Sequence, residues 1–160
     1  MKIKVGDIAY LDKICYAEAQ CFPEGEAAVK EAFKKRLEIY PNYFLLMFDG
    51  EKLAGFINGM VTDEYHLKDE MYENAELHNE RGKWQMIFGV DTVPEYRRQG
   101  IAGKLIKKFI EKAKEEGRKG VVLTCKKELI SYYSKFGFVN EGISKSVHGG
   151  AVWYEMRIVF

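Results

Sequence analysis

The feature of the sequence that most constrains the fold is a strand–helix–strand pattern in the middle of the chain. Residues 84–92 are predicted to form a strand, Gly100 leads into a helix that Gly117 ends, and residues 121–124 form a second, β-branched strand. The helix is amphipathic, because lysine and glutamate occupy the face opposite its apolar residues. Those apolar residues are Ile101, Leu105, Phe109, Ile110 and Ala113. The pattern predicts an α/β protein in which helices flank a sheet.

The rest of the chain extends this order without a repeat, a linker or a composition break. One helix is predicted after an N-cap at Asp7, and a second from about residue 26 to Pro41. The apolar stripe of the second helix is Val29, Phe33, Leu37 and Tyr40. The other predicted elements are strands at 43–48 and 52–61, a short helix within an insertion at 62–83, a helix at 128–136, and closing strands at 139–142 and 151–159. We expect residues 1–160 to form one domain with a mixed sheet.

Composition and charge exclude several classes of protein. The 25 lysine and arginine residues nearly balance 24 aspartate and glutamate residues, which gives no electrostatic basis for binding nucleic acid or an anionic membrane. No apolar run approaches the roughly 18–20 residues that span a bilayer. The three cysteines lack metal-ligand spacing, so neither a metal site nor a disulfide framework is predicted. We therefore expect a cytoplasmic protein that binds no metal.

A turn rich in small residues before the central helix is the first candidate binding site. Residues 97–103 read Arg-Arg-Gln-Gly-Ile-Ala-Gly, and the small residues Gly100, Ala102 and Gly103 leave the first backbone N–H groups of the helix uncovered. These donors and the positive end of the helix dipole suit a pyrophosphate, and the two arginines add positive charge. An ordinary strand-to-helix turn is the alternative interpretation.

Two motifs in the second half of the chain resemble those of a known superfamily. Residues 93–102, Val-Pro-x-Tyr-Arg-Arg-Gln-Gly-Ile-Ala, resemble the acetyl-CoA motif of the GNAT acetyltransferases, and residues 133–138 match their Tyr-x-x-x-Gly-Phe. The resemblance extends over nearly the whole chain, since the element order is also that of the superfamily. It implies a mixed, mostly antiparallel central sheet flanked by helices, with acetyl-CoA as co-substrate.

Further segments are similar to bacterial relatives of aralkylamine (serotonin) N-acetyltransferase. They are residues 21–28, 55–59, 123–125 and 148–156.

Carried over residue by residue, the resemblance implies three roles. Backbone groups of Val90, Asp91 and Thr92 would pair with the pantetheine amides, as a strand pairs with an added strand. Tyr133 would protonate the departing thiolate. The residues that would hold the pyrophosphate are Arg98, Gln99, Gly100, Ile101, Ala102 and Gly103.

The general base is not identified by the sequence. The animal relatives carry two histidines on the strand that precedes the turn at residues 97–103, but the matching positions here are Met86 and Phe88, which accept no proton. If the strand alternates regularly, Asp91 points to the opposite face from those positions. An alkylamine is mostly protonated at neutral pH, so the enzyme has to remove a proton before the amine can attack. Deprotonation through water is the remaining interpretation, and His78 and His148 stay open as candidates for the base.

The acceptor pocket is assigned to Phe22, Glu24, Glu26 and Phe88. Glu24 and Glu26 flank the break between the first two helices, where the superfamily places its acceptor loop, and they would attract an ammonium group. The alternative is that they only complement the dipole of the following helix.

These residues predict an acetyl-CoA-dependent N-acetyltransferase that acts on a primary amine, either an aralkylamine-like acceptor or a polyamine, in a ternary complex. The expected assembly is a monomer or a homodimer. Two alternatives remain open: an inactive acyl-CoA-binding module, and an enzyme that acetylates protein N-termini or lysines.

Overall fold

The computed structural model of the protein describes all 160 residues and contains nine β-strands and five α-helices. The strands are β1 (Lys2–Val5), β2 (Phe44–Asp49), β3 (Lys52–Asn58), β4 (Val61–Thr62), β5 (Trp84–Ile87), β6 (Gly89–Thr92), β7 (Gly120–Cys125), β8 (Val139–Ile143) and β9 (Tyr154–Val159). The α-helices are α1 (Leu11–Cys21), α2 (Lys30–Ile39), α3 (Asp69–Glu73), α4 (Ile101–Glu115) and α5 (Ile130–Ser134). Every predicted helix and strand is therefore represented, although several bounds differ.

The strands form two sheets. The first has the order β1-β2-β3-β6 and is antiparallel throughout, and the second has the order β4-β5-β7-β9-β8. Only β5 and β7 run parallel, because the chain crosses between the sheets through α4 before it returns as β7. The architecture is thus the mixed, mostly antiparallel arrangement with flanking helices that the resemblance implied.

Two predicted strands are each divided between the sheets, which corrects the single sheet expected from the sequence. The predicted strand 84–92 breaks at Phe88 into β5 and β6, and the predicted strand 52–61 ends at Asn58 before β4 begins in the other sheet. The backbones cross closely here, since a Cβ added at Gly59 would collide with the carbonyl of Met86. Beyond Phe88 the sheets diverge, and β6 keeps β3 as its only strand neighbour.

A core of 35 buried apolar residues joins the helices to the sheets. Helix α4 buries the predicted face with two differences. Ile106, which was not part of the prediction, is fully buried, and Ile110, which was, is only half-buried. Helix α2 starts at Lys30, later than predicted, and Val29 is 67% exposed as its N-cap, so it does not belong to the apolar stripe. Asp7 is an N-cap as predicted, but of a short 3₁₀ turn that precedes α1. No helix combines the length and hydropathy needed to cross a membrane.

Candidate active site

A cavity of ≈ 530 Å³ opens where the two sheets diverge. Its floor includes Phe88, Gly89 and Val90, at the break between β5 and β6, and the end of β7 at Thr124 and Cys125. The walls come from α1 and the segment that follows it, from α2 and α3, and from residues 129–153. The strand break therefore creates a concave space that reaches the free edge of β6.

Six residues that the sequence analysis assigned to catalysis, acceptor binding or cofactor binding line this one cavity. They are Phe22, Glu24, Glu26, Phe88, Val90 and Tyr133. These residues come from three separate parts of the sequence, so the fold brings together side chains that no local pattern connects. Met86 is fully buried and does not line the cavity.

Tyr133, on α5, lines the cavity. Its ring packs edge-on against Phe138 and Tyr132, and its hydroxyl has no hydrogen-bond partner within the protein. Burial, and to a smaller extent the neighbouring Cys125 thiol, raise the pKa of the Tyr133 phenol above its ordinary value. The phenol therefore stays neutral at physiological pH and keeps a proton to donate.

The edge of β6 that faces away from β3 pairs with no strand, and its backbone groups are free except for the Thr92 carbonyl, which accepts from Arg97 Nε at 3.2 Å and Cys21 Sγ at 3.3 Å. Val93 N–H donates to the carbonyl of Ala54 at 3.0 Å, so strand alternation turns the groups of Asp91 toward β3 and those of Val90 and Thr92 toward the open edge. This corrects the expectation for Asp91, whose backbone faces β3 and is not available to a ligand at the open edge.

The first turn of α4 has the properties of an anion site. Gly100 adopts φ 76° and Arg98 φ 65°, and no side chain caps the helix. Lys104 N–H bonds to the carbonyl of Gly100, while residues 101–103 have no backbone acceptor for their N–H groups. Arg98 and Gln99 are exposed beside these donors. The Arg97 side chain instead donates to the carbonyl of Thr92 at 3.2 Å, which ties this loop to the end of β6.

The cavity lining is strongly acidic. It contains five carboxylates and one arginine, and the carboxylates are Glu18, Glu24, Glu26, Asp69 and Glu73. Glu26 pairs with Lys126 at 2.8 Å, and Asp69 accepts hydrogen bonds from Ser146 and Val147. Glu24 and Glu73 are exposed at the mouth and make no ion pair, so they are free to attract a cation.

Aromatic rings form a second part of the wall. Tyr72 stacks on His148 with centroids 4.9 Å apart and planes 15° apart, and it contacts Phe88 at 4.7 Å. The ring centroid of Trp153 lies 6.0 Å from that of His148. Burial raises the pKa of Tyr72 to about 12, so this ring remains uncharged. Aromatic faces next to carboxylates suit an organic cation with an apolar body.

The three histidines have different positions relative to the cavity. His148 lines it, and its Nε2 carries a proton because it lies 2.9 Å from the carbonyl of Glu26, which can only accept. The ring of His78 is buried between Tyr40 and Tyr43, away from the cavity, and accepts a hydrogen bond from Val61 N–H. His66 lies 2.6 Å from Glu155 in another part of the surface.

Sequence reasoning missed several lining residues, namely Glu18, Arg36, Asp69, Tyr72 and Glu73. A signal for Glu18 was present, because it lies four positions after Ile14 on the buried face of α1, where a carboxylate is unusual. No comparable signal existed for Tyr72, since the segment that contains it has a weak pattern.

The fold and the cavity match a known enzyme class. The sequence model of the Acetyltransferase (GNAT) family matches residues 11–138, which include the β6 edge, the start of α4 and Tyr133. The chain therefore belongs to the GNAT acetyltransferase family.

Two relatives and one solved structure show how close the similarity is. The chain is 36% identical over 52 residues to the probable glucosamine 6-phosphate N-acetyltransferase 2 of Oryza sativa subsp. japonica, covering 32% of this chain and 31% of that protein. It is 25% identical over 122 residues to serotonin N-acetyltransferase of Mesocricetus auratus, covering 76% of this chain and 58% of that protein. The matched parts thus span less than two thirds of either relative. The GphF GNAT-like decarboxylase in complex with isobutyryl-CoA has the same fold, with a TM-score of 0.86 at 16% identity over 99% of both chains.

Proposed function

We propose that the protein transfers the acetyl group of acetyl-CoA to the primary amine of a small acceptor, by direct attack in a ternary complex. The observation that carries this proposal is that Tyr133 and five carboxylates line one cavity, which Val90 on the open edge of β6 also borders. We further propose that residues 1–160 act as one acyltransferase domain, as a monomer or homodimer in the cytoplasm, and that the enzyme is related to the aralkylamine N-acetyltransferases.

Free backbone groups support acetyl-CoA as the co-substrate. The N–H and carbonyl of Val90 and the N–H of Thr92 on the open edge suit the amides of the pantetheine arm, which would extend the sheet as an added strand does. The uncapped N–H groups of residues 101–103 suit the pyrophosphate. Arg98 and Gln99 add exposed donors beside them. A donor held in this way would direct its thioester along β6 toward the cavity.

The charge and the rings of the cavity support an acceptor that is a cation with an aromatic body. Glu24 and Glu73 at the mouth attract the ammonium group, and the wall of Tyr72, Phe88 and Trp153 packs against the apolar part. A polyamine is the second candidate, because carboxylates both at the mouth and deeper in the cavity would match more than one ammonium group.

The chemistry needs one proton removed from the ammonium group and one supplied to sulfur. The neutral amine attacks the thioester carbonyl, a C–N bond forms, and the C–S bond breaks when the tetrahedral intermediate collapses. The Tyr133 hydroxyl donates its proton to the departing thiolate, and the proton lost from the attacking nitrogen restores the phenol through solvent. The free hydroxyl and the raised pKa of Tyr133 suit this role.

An acceptor screen tests the proposal. The protein is incubated with acetyl-CoA and tryptamine, phenethylamine, spermidine or a short peptide with a free N-terminus, and released thiol and acetylated product are measured. We expect turnover with an amine, fastest with the aralkylamines. Turnover of the peptide alone would favour a protein acetyltransferase, and tight binding of acetyl-CoA without any turnover would favour a binding module.

A further inference from the structure

Two buried carboxyl groups at the cavity form no ion pair with a cation. Glu18 on α1 is 6% exposed and lines the cavity, and Asp91 on β6 is 0% exposed and near enough to Glu18 for the two carboxyls to interact. Neither forms an ion pair within 4.0 Å, and both carboxyl oxygens of Asp91 lack a donor from any ordinary hydrogen-bonding group. A buried carboxylate without an ion pair or a hydrogen-bond donor destabilises the folded state, so the pair requires an explanation.

The groups around this pair form no ion pair with either carboxyl. From α2, the buried Arg36 guanidinium donates to the side chain of Asn58 at 2.9 Å and to the carbonyl of Tyr72 at 2.8 Å, and its charge acts on Asp91 only without direct contact. From α1, Cys15 and Cys21 present thiols, and burial raises the pKa of both. From α3, Tyr72 presents a neutral phenol whose pKa is raised to about 12. The pair therefore carries at most one negative charge at neutral pH, because two adjacent buried carboxylates repel each other.

The shared proton belongs to Asp91. Burial raises the pKa of Asp91 well above its usual range, the charge of Glu18 and a hydrogen bond to it raise the pKa further, and Arg36 opposes the shift. A proton on Asp91 would be donated to Glu18. Glu18 Oε2 accepts the backbone N–H of Ala28 at 2.8 Å. These two donors would hold the Glu18 carboxyl group in one orientation at the cavity wall.

We propose that Glu18 is the general base that takes the proton from the acceptor ammonium group, with Asp91 as the residue that positions it. This assignment rests on the proposed function, and it supplies the base that Met86 and Phe88 cannot. Gly89 supports the geometry, because it has no side chain between the cavity and Asp91, whose Oδ1 lies 3.4 Å from the position that a Cβ would occupy.

The proposed step is balanced. One N–H bond of the ammonium group breaks, its proton forms an O–H bond on Glu18, and the nitrogen keeps the electron pair with which it attacks the thioester carbonyl. Glu18 returns its proton to solvent through the cavity mouth after the product leaves. Together with the proton cycle at Tyr133, each turnover converts an ammonium ion and a thioester into an amide, a thiol and one released proton.

Glu18→Gln tests the base, because glutamine keeps the shape and still accepts the Ala28 N–H while it loses the charge. With acetyl-CoA and tryptamine or spermidine at pH 7, we expect kcat/KM to fall by about 10²–10⁴-fold, with unchanged affinity for acetyl-CoA. The ratio of kcat/KM between the parent protein and Glu18→Gln should fall by about tenfold for each pH unit toward ~10.4, where the amine loses its own proton. Glu38→Gln makes the same charge change at an exposed position of α2 and should leave kcat/KM unchanged.

Asp91 is tested by a pair of variants. Asp91→Asn keeps a donor toward Glu18 and should retain activity within about fivefold. Asp91→Val removes the donor and should lower kcat by about 10–100-fold, which corresponds to the loss of a hydrogen bond to a charged group. If Asp91 were itself the base, Asp91→Asn would lose activity as completely as Asp91→Val does, which would overturn the assignment. Circular dichroism confirms that each variant is folded before its rates are compared.

Three results distinguish a failure of the Glu18 assignment from a failure of the proposed function. Glu18→Gln with kcat/KM within about threefold of the parent protein would overturn the base while leaving the proposed function intact. A rate limb near pH ~6.5 that disappears in His148→Gln would assign the base to His148 instead. A parent protein that acetylates no amine would reject the proposed function, and the assignment of Glu18 with it.

Discussion

The two halves of the proposed site are built in different ways. The donor half, defined as residues 90–103, is one continuous segment that offers backbone groups from the edge of β6 and the first turn of α4. The acceptor half, defined as the side chains of Glu18, Phe22, Glu24, Tyr72, Glu73 and Trp153, is collected from α1, the α1–α2 segment, α3 and the C-terminal region. A backbone site depends on chain geometry, whereas a side-chain site can change its chemistry without changing the fold.

Tyr133 lies at the junction of the two halves, and its replacement should have the largest effect. We expect Tyr133→Phe to lower kcat by about 10²–10⁴-fold with little change in the affinity for acetyl-CoA, because only the proton donor is lost. Stopped-flow measurement of thiol release gives kcat. Tyr132→Phe removes the neighbouring hydroxyl, which does not line the cavity, and should turn over normally. Equal kcat values for both variants would show that Tyr133 is not the proton donor and only packs against its neighbours.

A carboxylate introduced at the start of α4 should impair binding in the donor half alone. Gly100→Glu is expected to weaken acetyl-CoA binding by about 100-fold, since like charges would face each other where the phosphates bind. Gly117→Glu is a matched control, because both glycines have similar φ angles of 76° and 77° and nothing within 4 Å of an added Cβ. Each variant carries the same strain of about 1–2 kcal/mol. Titration calorimetry that finds equal affinities would reject the pyrophosphate site.

A change at the mouth should affect the acceptor half alone, and more weakly. We expect Glu73→Gln to raise KM for a cationic amine by about three- to fivefold without changing kcat, because an exposed charge contributes up to about 1 kcal/mol. The effect should decrease at 1 M salt, where the screening length is about 3 Å. Glu76→Gln, exposed on the following turn, serves as the control. An increase in KM that does not depend on salt would argue against a charge interaction.

The buried pair behind the acceptor half should have the smallest effect, on stability. Folded Asp91 keeps its proton above the pH where an unfolded carboxyl, with a pKa of about 3.9, loses it. The free energy of unfolding therefore falls as pH rises from ~4 toward the raised native pKa. Asp91→Asn removes this dependence, and we expect its Tm to exceed that of the parent by about 2–4 °C at pH 7 and to match it near pH 4. Parallel Tm curves would show that Asp91 is ionised in the native state.

The same contrast explains how much the sequence could predict. The donor half follows from local patterns, since the amphipathic residues of α4 and the small residues before it mark a helix and its uncapped start. The late start of α2 could not be predicted from spacing, because Glu18, ten residues earlier, holds the N–H of Ala28 and Val29 stays extended. Tertiary contact overrides local preference there.

The sequence carries one weak sign of the strand break at Phe88, because an isolated glycine within a strand pattern, here Gly89, favours a bulge or bend. Residues on both sides of it are apolar, so alternation gives no sign that β5 and β6 join different sheets. The position of the cavity depends on that break. The sequence therefore indicated which residues belong to the site more readily than it indicated how they meet.

Because the sheets diverge at one point, the proposed function places both the acyl group and the acceptor in a single cavity. That cavity of ≈ 530 Å³ is lined by Val90 and Tyr133, which the proposal assigns to the thioester, and by Glu24, which it assigns to the amine. Each methylene added to the acyl group would occupy space that the amine would otherwise fill. Under the proposed function, preference for the acyl chain and preference for the amine would be one property, and selection for a bulkier amine would also be selection for a shorter acyl group.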